Sequence, residues 1–120
     1  MAEKTGVEIV EEGEVAVVAF RSASVSNVEE ITAGGEQVGS FIEEKRPARV
    51  VFDFSTVKFF SSQVLGLLLD IRSRMQEYNG EIVISGINPQ LHRVFKITKL
   101  DSVFGFYPDK EAAVRANRTN

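Results

Sequence analysis

Two uninterrupted apolar runs, VVF at residues 50–52 and IVI at residues 82–84, do most to restrict how this chain can fold. Neither run alternates with polar residues, and each is far too short for a buried helix. Such a run reads as a strand covered on both faces, which is the situation of a strand inside a parallel sheet. Parallel neighbours cannot be joined by a tight turn, so a crossover segment has to lie between them. The intervening sequence supplies one. After Ser62, the apolar residues Val64, Leu67, Leu68, Ile71 and Met75 recur at helical spacing. Asn79 and Gly80 then close the helix, because both tolerate a left-handed cap.

The same alternation extends in both directions. Residues 7–10 and Val15–Phe20 are short apolar segments separated by EEGE, and Gly13 suits a tight turn, so the chain opens with a hairpin. Ser26 or Asn27 then caps a helix that ends near Lys45. Glu29 and Glu30 lie in its first turn, and Val28, Ile31, Gly35, Val38 and Ile42 share one face. Gly34 and Gly35 sit inside this helix, as a close approach to a neighbour requires. Residues 49–54 form the first buried strand and Glu81–Ser85 the second. Asn88 and Pro89 open a helix with Leu91, Val94 and Phe95 inward. Residues 103–106 read as a last short strand. Pro108 and Asp109 start a final helix, through about Ala116, and residues 117–120 are expected to fray. The order β-β-α-β-α-β-α-β-α describes a single α/β domain over residues 1–120, with its core at about 7–116. Its sheet is mostly parallel, with an N-terminal β-hairpin and four helices.

Composition narrows the function. Net charge is −3, without the strong basic face of a nucleic-acid binder. Cysteine is absent, which removes disulfides and thiolate metal sites, and no metal or cofactor site is expected. No apolar stretch reaches the roughly 18 residues of a membrane helix, and MAEKTGVEIV lacks a signal-peptide core, so a cytoplasmic protein is expected. Charge is distributed unevenly. Glu3, Glu8, Glu11, Glu12 and Glu14 face only Lys4 near the start. From Gln90 onward Arg93, Lys96, Lys99, Lys110, Arg115 and Arg118 outnumber Asp101, Asp109 and Glu111. A solvated surface accounts for this, and so does a basic patch that steers an acidic partner. His92 is the lone histidine, read as a surface residue, and there is no G-x-S-x-G elbow or G-x-x-x-x-G-K loop, so no enzyme is expected. A phosphorylatable receiver domain would need paired acids after its first parallel strand, where this chain reads VVAFRSASVSN.

One feature remains. Ser61 and Ser62 stand where the buried strand hands over to the helix, and ligands and partners meet such sheets at the carboxyl ends of strands. One serine serves as an N-cap, whereas the second hydroxyl sits at an electropositive helix end that accepts negative charge. Of Phe59 and Phe60, adjacent on an extended segment, one can face outward as a binding anchor.

The stretch DFSTVKFFSSQVLGLLL resembles the signature of the STAS domains, the sulfate-transporter and anti-sigma-factor-antagonist family. The likeness runs from about Val15 to Val114 and is most specific from Asp53 onward. It implies the α/β fold and a binding module in bacterial signalling rather than an enzyme. It also implies a partner, an anti-sigma factor or serine-kinase-like protein, that phosphorylates the helix start. Asp53 matches the family's aspartate at the strand end, Val57 and Phe59 its apolar positions, and Leu65-Gly66 its Leu-Gly pair. Ser62 falls on the phospho-acceptor and Ser61 on the acid before it. Gln63 replaces a second hydroxyl and Val64 a glycine. The expected partner surface comprises Asp53 and the loop after it, Ser61, Ser62, Gln63 and Asn88, with Ser61 as the cap and Ser62, or failing it Ser61, as the acceptor. The alternatives are a scaffold of the same fold without the switch, or a module binding a nucleotide or small anion at the Ser61–Gln63 helix end.

Overall fold

The computed structural model describes residues 6–116. The expected fraying of 117–120 and the charges of Glu3, Lys4 and Arg118 lie outside the described residues. The opening hairpin pairs β1 (Val7–Glu12) with β2 (Val15–Phe20) about Gly13, whose φ of 64° is the left-handed turn conformation. Then follow β3 (Ser24–Val25), α1 (Val28–Lys45), β4 (Arg49–Asp53), β5 (Phe59–Phe60), α2 (Ser62–Gln76) and β6 (Glu81–Ser85). The chain closes with α3 (Pro89–Ile97), β7 (Gly105–Tyr107) and α4 (Lys110–Arg115).

The main sheet has the order β1-β2-β4-β6-β7, antiparallel only between β1 and β2. The two apolar runs are parallel neighbours as expected, with Val50 opposite Ile82, Val51 opposite Val83 and Phe52 opposite Ile84. All six are buried. The three crossovers step the same way across the sheet, so their common right-handedness places α1, α2 and α3 on one face. Alternate strand residues Val18, Phe20, Val50, Phe52, Ile82 and Ile84 meet these helices in the large core. The opposite face presents Val17, Val51 and Val83 to Ala113 of α4. Each strand therefore feeds two apolar layers, which is why its sequence does not alternate.

Some expectations need correction. Val28 is 62% exposed at the start of α1, and Gly34 and Gly39 join the buried face. Gly34 does allow a close approach to the sheet: a Cβ there would lie 3.2 Å from Val7. Gly35 instead approaches α2, where a Cβ would lie 2.5 Å from Leu67. On α2, Leu65 is buried where Leu67 was expected to be, and Leu67 is half-buried. The last strand begins two residues late. Val103 and Phe104 donate their amides to Leu100 in tight turns, so pairing starts with Gly105 opposite Val83. The two-stranded parallel sheet of β3 and β5 has no periodicity long enough to be read from sequence.

Candidate functional site

The carboxyl ends of β2, β4 and β6 point the same way, and the N-termini of α1, α2 and α3 gather beside them. Asn27 accepts the Glu30 amide at 2.9 Å, and Asn88 accepts the Leu91 amide at 2.9 Å, so both helices have the expected caps. Pro89 occupies the first position of α3, where its missing N–H costs nothing.

Ser61 occupies the N-cap position of α2 with extended backbone, but its hydroxyl makes no cap bond. The expected capping role is therefore corrected. The amide that a serine cap would accept belongs to Val64, and it already donates to the Ser61 carbonyl at 3.0 Å. The tight first turn of α2 consumes its own donor, and Ser61 Oγ is left buried without a hydrogen-bond partner. Ser62, one residue on, is exposed at the first helical position. The first turn of α2 contains no acid, whereas α1 has Glu29 and Glu30 there. Its partial positive charge is thus not offset locally.

Asp53 closes β4 at 8% exposure and organises the loop behind the serines. Its Oδ1 accepts the Ser55 amide and the Ser85 hydroxyl, each at 3.2 Å, and its Oδ2 accepts the Ser55 hydroxyl at 3.1 Å. Gly86 passes so close that a Cβ would lie 3.1 Å from Asp53 Oδ1, and its φ of 66° is left-handed. The Asp53 carboxylate is turned inward and offers no contact surface. The Asn88 amide group donates to Val57 O at 3.3 Å, tying α3 to the same loop. Gln63 bridges to α1 through Thr32 at 3.4 Å. The sequence reading gave no role to Ser55, Ser85 or Gly86 in this loop, although Ser55 falls within the DFST stretch and Ser85 stands at a strand end.

The segment before α2 is clamped on its other side. Lys58 and Phe59 donate their amides to Ala23 O, and Ser61 donates to Val25 O at 3.0 Å. Phe60 is buried edge-on between Phe54, at 5.7 Å, and Phe95, at 6.0 Å. Alternation then turns Phe59 outward, leaving it 54% exposed beside the helix start. Gly66 is also exposed, on α2 one turn beyond Ser62, and a Cβ there would meet nothing within 4 Å. A mid-helix glycine costs about 1 kcal/mol relative to alanine, and this one gains no internal packing in return. His92 is half-buried, its ring centre 4.3 Å from that of Phe106 and tilted by 32°, rather than free on the surface. Among the described residues no cluster of three His, Cys, Asp or Glu could hold a metal ion, and no helix is long and apolar enough to cross a membrane.

The pattern of the STAS domain family matches residues 7–113. The chain belongs to that family. Over 76 residues it is 30% identical to BtrV of Bordetella bronchiseptica, a candidate anti-sigma factor antagonist; the match covers 63% of this chain and 66% of that protein. An anti-sigma-factor antagonist STAS protein of Planctomyces limnophilus superposes with a TM-score of 0.81 at 22% identity, covering 90% of this chain and 94% of that one. An antagonist from Mycobacterium paratuberculosis superposes at 0.77 and 23% identity, covering 90% and 89%. The unphosphorylated antagonist SpoIIAA superposes at 0.72 and 14% identity, covering 90% and 94%, and the Bacillus protein is also known in phosphorylated form. At these identities the superpositions establish the fold. By family and fold the chain is a STAS domain, and solved structures that share its fold include anti-sigma-factor antagonists.

Proposed function

We propose that this STAS domain is a non-enzymatic regulator that binds an anti-sigma factor through the start of α2 and is released when that partner, a serine kinase, phosphorylates Ser62. The observation that carries this reading is the situation of Ser62: an exposed hydroxyl, without a partner among the described residues, on an uncapped helix end with no acid in its first turn. A phosphate there gains from the helix dipole and places nearly two negative charges on the surface. BtrV and SpoIIAA, both named as antagonists, support the class of partner, and the existence of a phosphorylated SpoIIAA supports the type of switch.

Around Ser62 the contact surface is formed by Phe59, Ser61, Gln63 and the rim of the loop near Asn88. Asp53 acts from beneath, by holding Ser55 and Ser85 and so fixing the loop. The test is an alanine scan of binding to purified kinase-type anti-sigma factors. Phe59→Ala and Gln63→Ala should each weaken binding, by about 1–2 kcal/mol for an exposed aromatic anchor. Substitutions at Glu8, Val10 and Glu12 on the far edge strand should leave it unchanged. A partner that responds only to the β1 substitutions would place the interface elsewhere.

A further inference from the structure

We propose that Gly66 is the point of closest approach between this domain and its partner, an uncharged apolar ridge of the anti-sigma factor crossing the outer face of α2. The inference rests on the reading that the start of α2 faces that partner.

Three observations carry it. First, Gly66 has no internal justification. Its backbone is ordinary helix, and an added Cβ would meet no atom within 4 Å, whereas a Cβ on Gly35 would collide with Leu67 at 2.5 Å. The helix bears a less favourable residue where alanine fits freely within the chain, which is expected where another backbone must come close. Second, Gly66 shares the outermost face of α2 with Ser62, Leu69 and Ser73, all exposed and all uncharged. A surface helix normally turns its charges to this face. Here they lie to the sides, with Asp70 and Arg74 paired at 3.2 Å on one flank and Arg72 on the other. Third, two of the large exposed apolar residues bracket this stretch in sequence: Leu69, at 39%, one turn beyond Gly66, and Phe59, at 54%, three residues ahead of Ser62. An apolar ridge fits this surface, while a strongly charged one finds nothing to pair with along its centre. Ser62 stands about 6 Å from Gly66 along the helix axis, at the rim of such a contact. A phosphate there would have to lose water against an apolar surface, which adds desolvation to the switch.

The test uses the wild-type chain, Gly66→Ala and Gly66→Leu. Each is titrated calorimetrically with every purified kinase-type anti-sigma factor of the source genome, and each is melted alone. Gly66→Ala should melt higher by about 3–5 °C, as a better helix former does, yet bind at least tenfold more weakly. Gly66→Leu should fold and bind more weakly still. Wild-type affinity in both variants would overturn the inference and leave the proposed function standing. A lower melting temperature for Gly66→Ala would also overturn it, by revealing an internal role for the glycine. Failure of the wild type to bind any of these factors would defeat the proposed function and this inference together.

Discussion

Ser61 and Ser62 are adjacent and chemically identical, yet the fold puts their hydroxyls in opposite situations. Ser61 Oγ is buried and unbonded, while Ser62 faces solvent. The sequence marks Ser61 as the N-cap and is right about its position. It cannot reveal that the Val64 amide is already taken by the Ser61 carbonyl, because that depends on the pitch of one turn. A buried hydroxyl without a partner is a cost of about 1–3 kcal/mol that alanine removes. Ser61→Ala should therefore hold or raise stability in urea denaturation; a loss of 1 kcal/mol or more would mean the cap bond forms in solution. Ser62→Asp places a carboxylate in the first turn and should stabilise the fold by about 0.3–1 kcal/mol, an increment that shrinks at high salt. Asp53 teaches a related lesson. Its place at the strand end is legible from sequence, but its inward rotamer is set by Ser55 and Ser85, which approach it only in three dimensions.

At the scale of elements, the strands buried on both faces and the long amphipathic helices were readable because period and burial coincide over many residues. The β3–β5 pair and the start of β7 were not, since two or three residues carry no period and their pairing is decided by neighbours distant in sequence. The attachment of α4 is likewise invisible in sequence. Arg49 is 3% exposed at the start of β4. Its Nε and Nη2 each lie 2.6 Å from Glu81 Oε2, and its Nη1 donates to the Ala113 and Ala116 carbonyls at 2.7 Å. One guanidinium thus joins two strands and caps the short final helix, as the planar fork allows. Arg49→Met should cost about 2–3 kcal/mol, and hydrogen exchange should show α4 losing protection before the sheet does. Tyr78, after α2, donates to Pro47 O at 3.0 Å beneath Arg46, whose guanidinium lies 4.8 Å from the ring centre. Burial raises its phenol above the ordinary value of 10.0, and the Arg46 charge opposes this in part. With the folded value above the unfolded one, the contribution is whole below pH 10 and is lost as pH rises through the folded value. Stability should fall more steeply above pH 10 in the wild type than in Tyr78→Phe.

Across the whole molecule, the same arrangement that builds the core also builds the proposed surface. Three crossovers of one hand bring three helix N-termini to one end of the sheet, and the parallel strands place Asp53 and Ser85 there to set the loops. The buried Phe60 fixes the approach to α2 and so turns Phe59 outward, leaving Ser62, Gly66 and Leu69 exposed along one face of α2 among the described residues. The central claim is that this face binds an anti-sigma factor and that a phosphate on Ser62 ends the binding without unfolding the domain. The most direct measurement is to incubate the chain with its kinase-type anti-sigma factor and ATP, locate the phosphate by mass spectrometry, and titrate both forms. We predict a single phosphate on Ser62, a melting temperature no lower than before, and affinity reduced at least tenfold, or about 1.4 kcal/mol. A phosphate on Ser61, or a phosphorylated chain that binds as tightly as the unmodified one, would contradict the account.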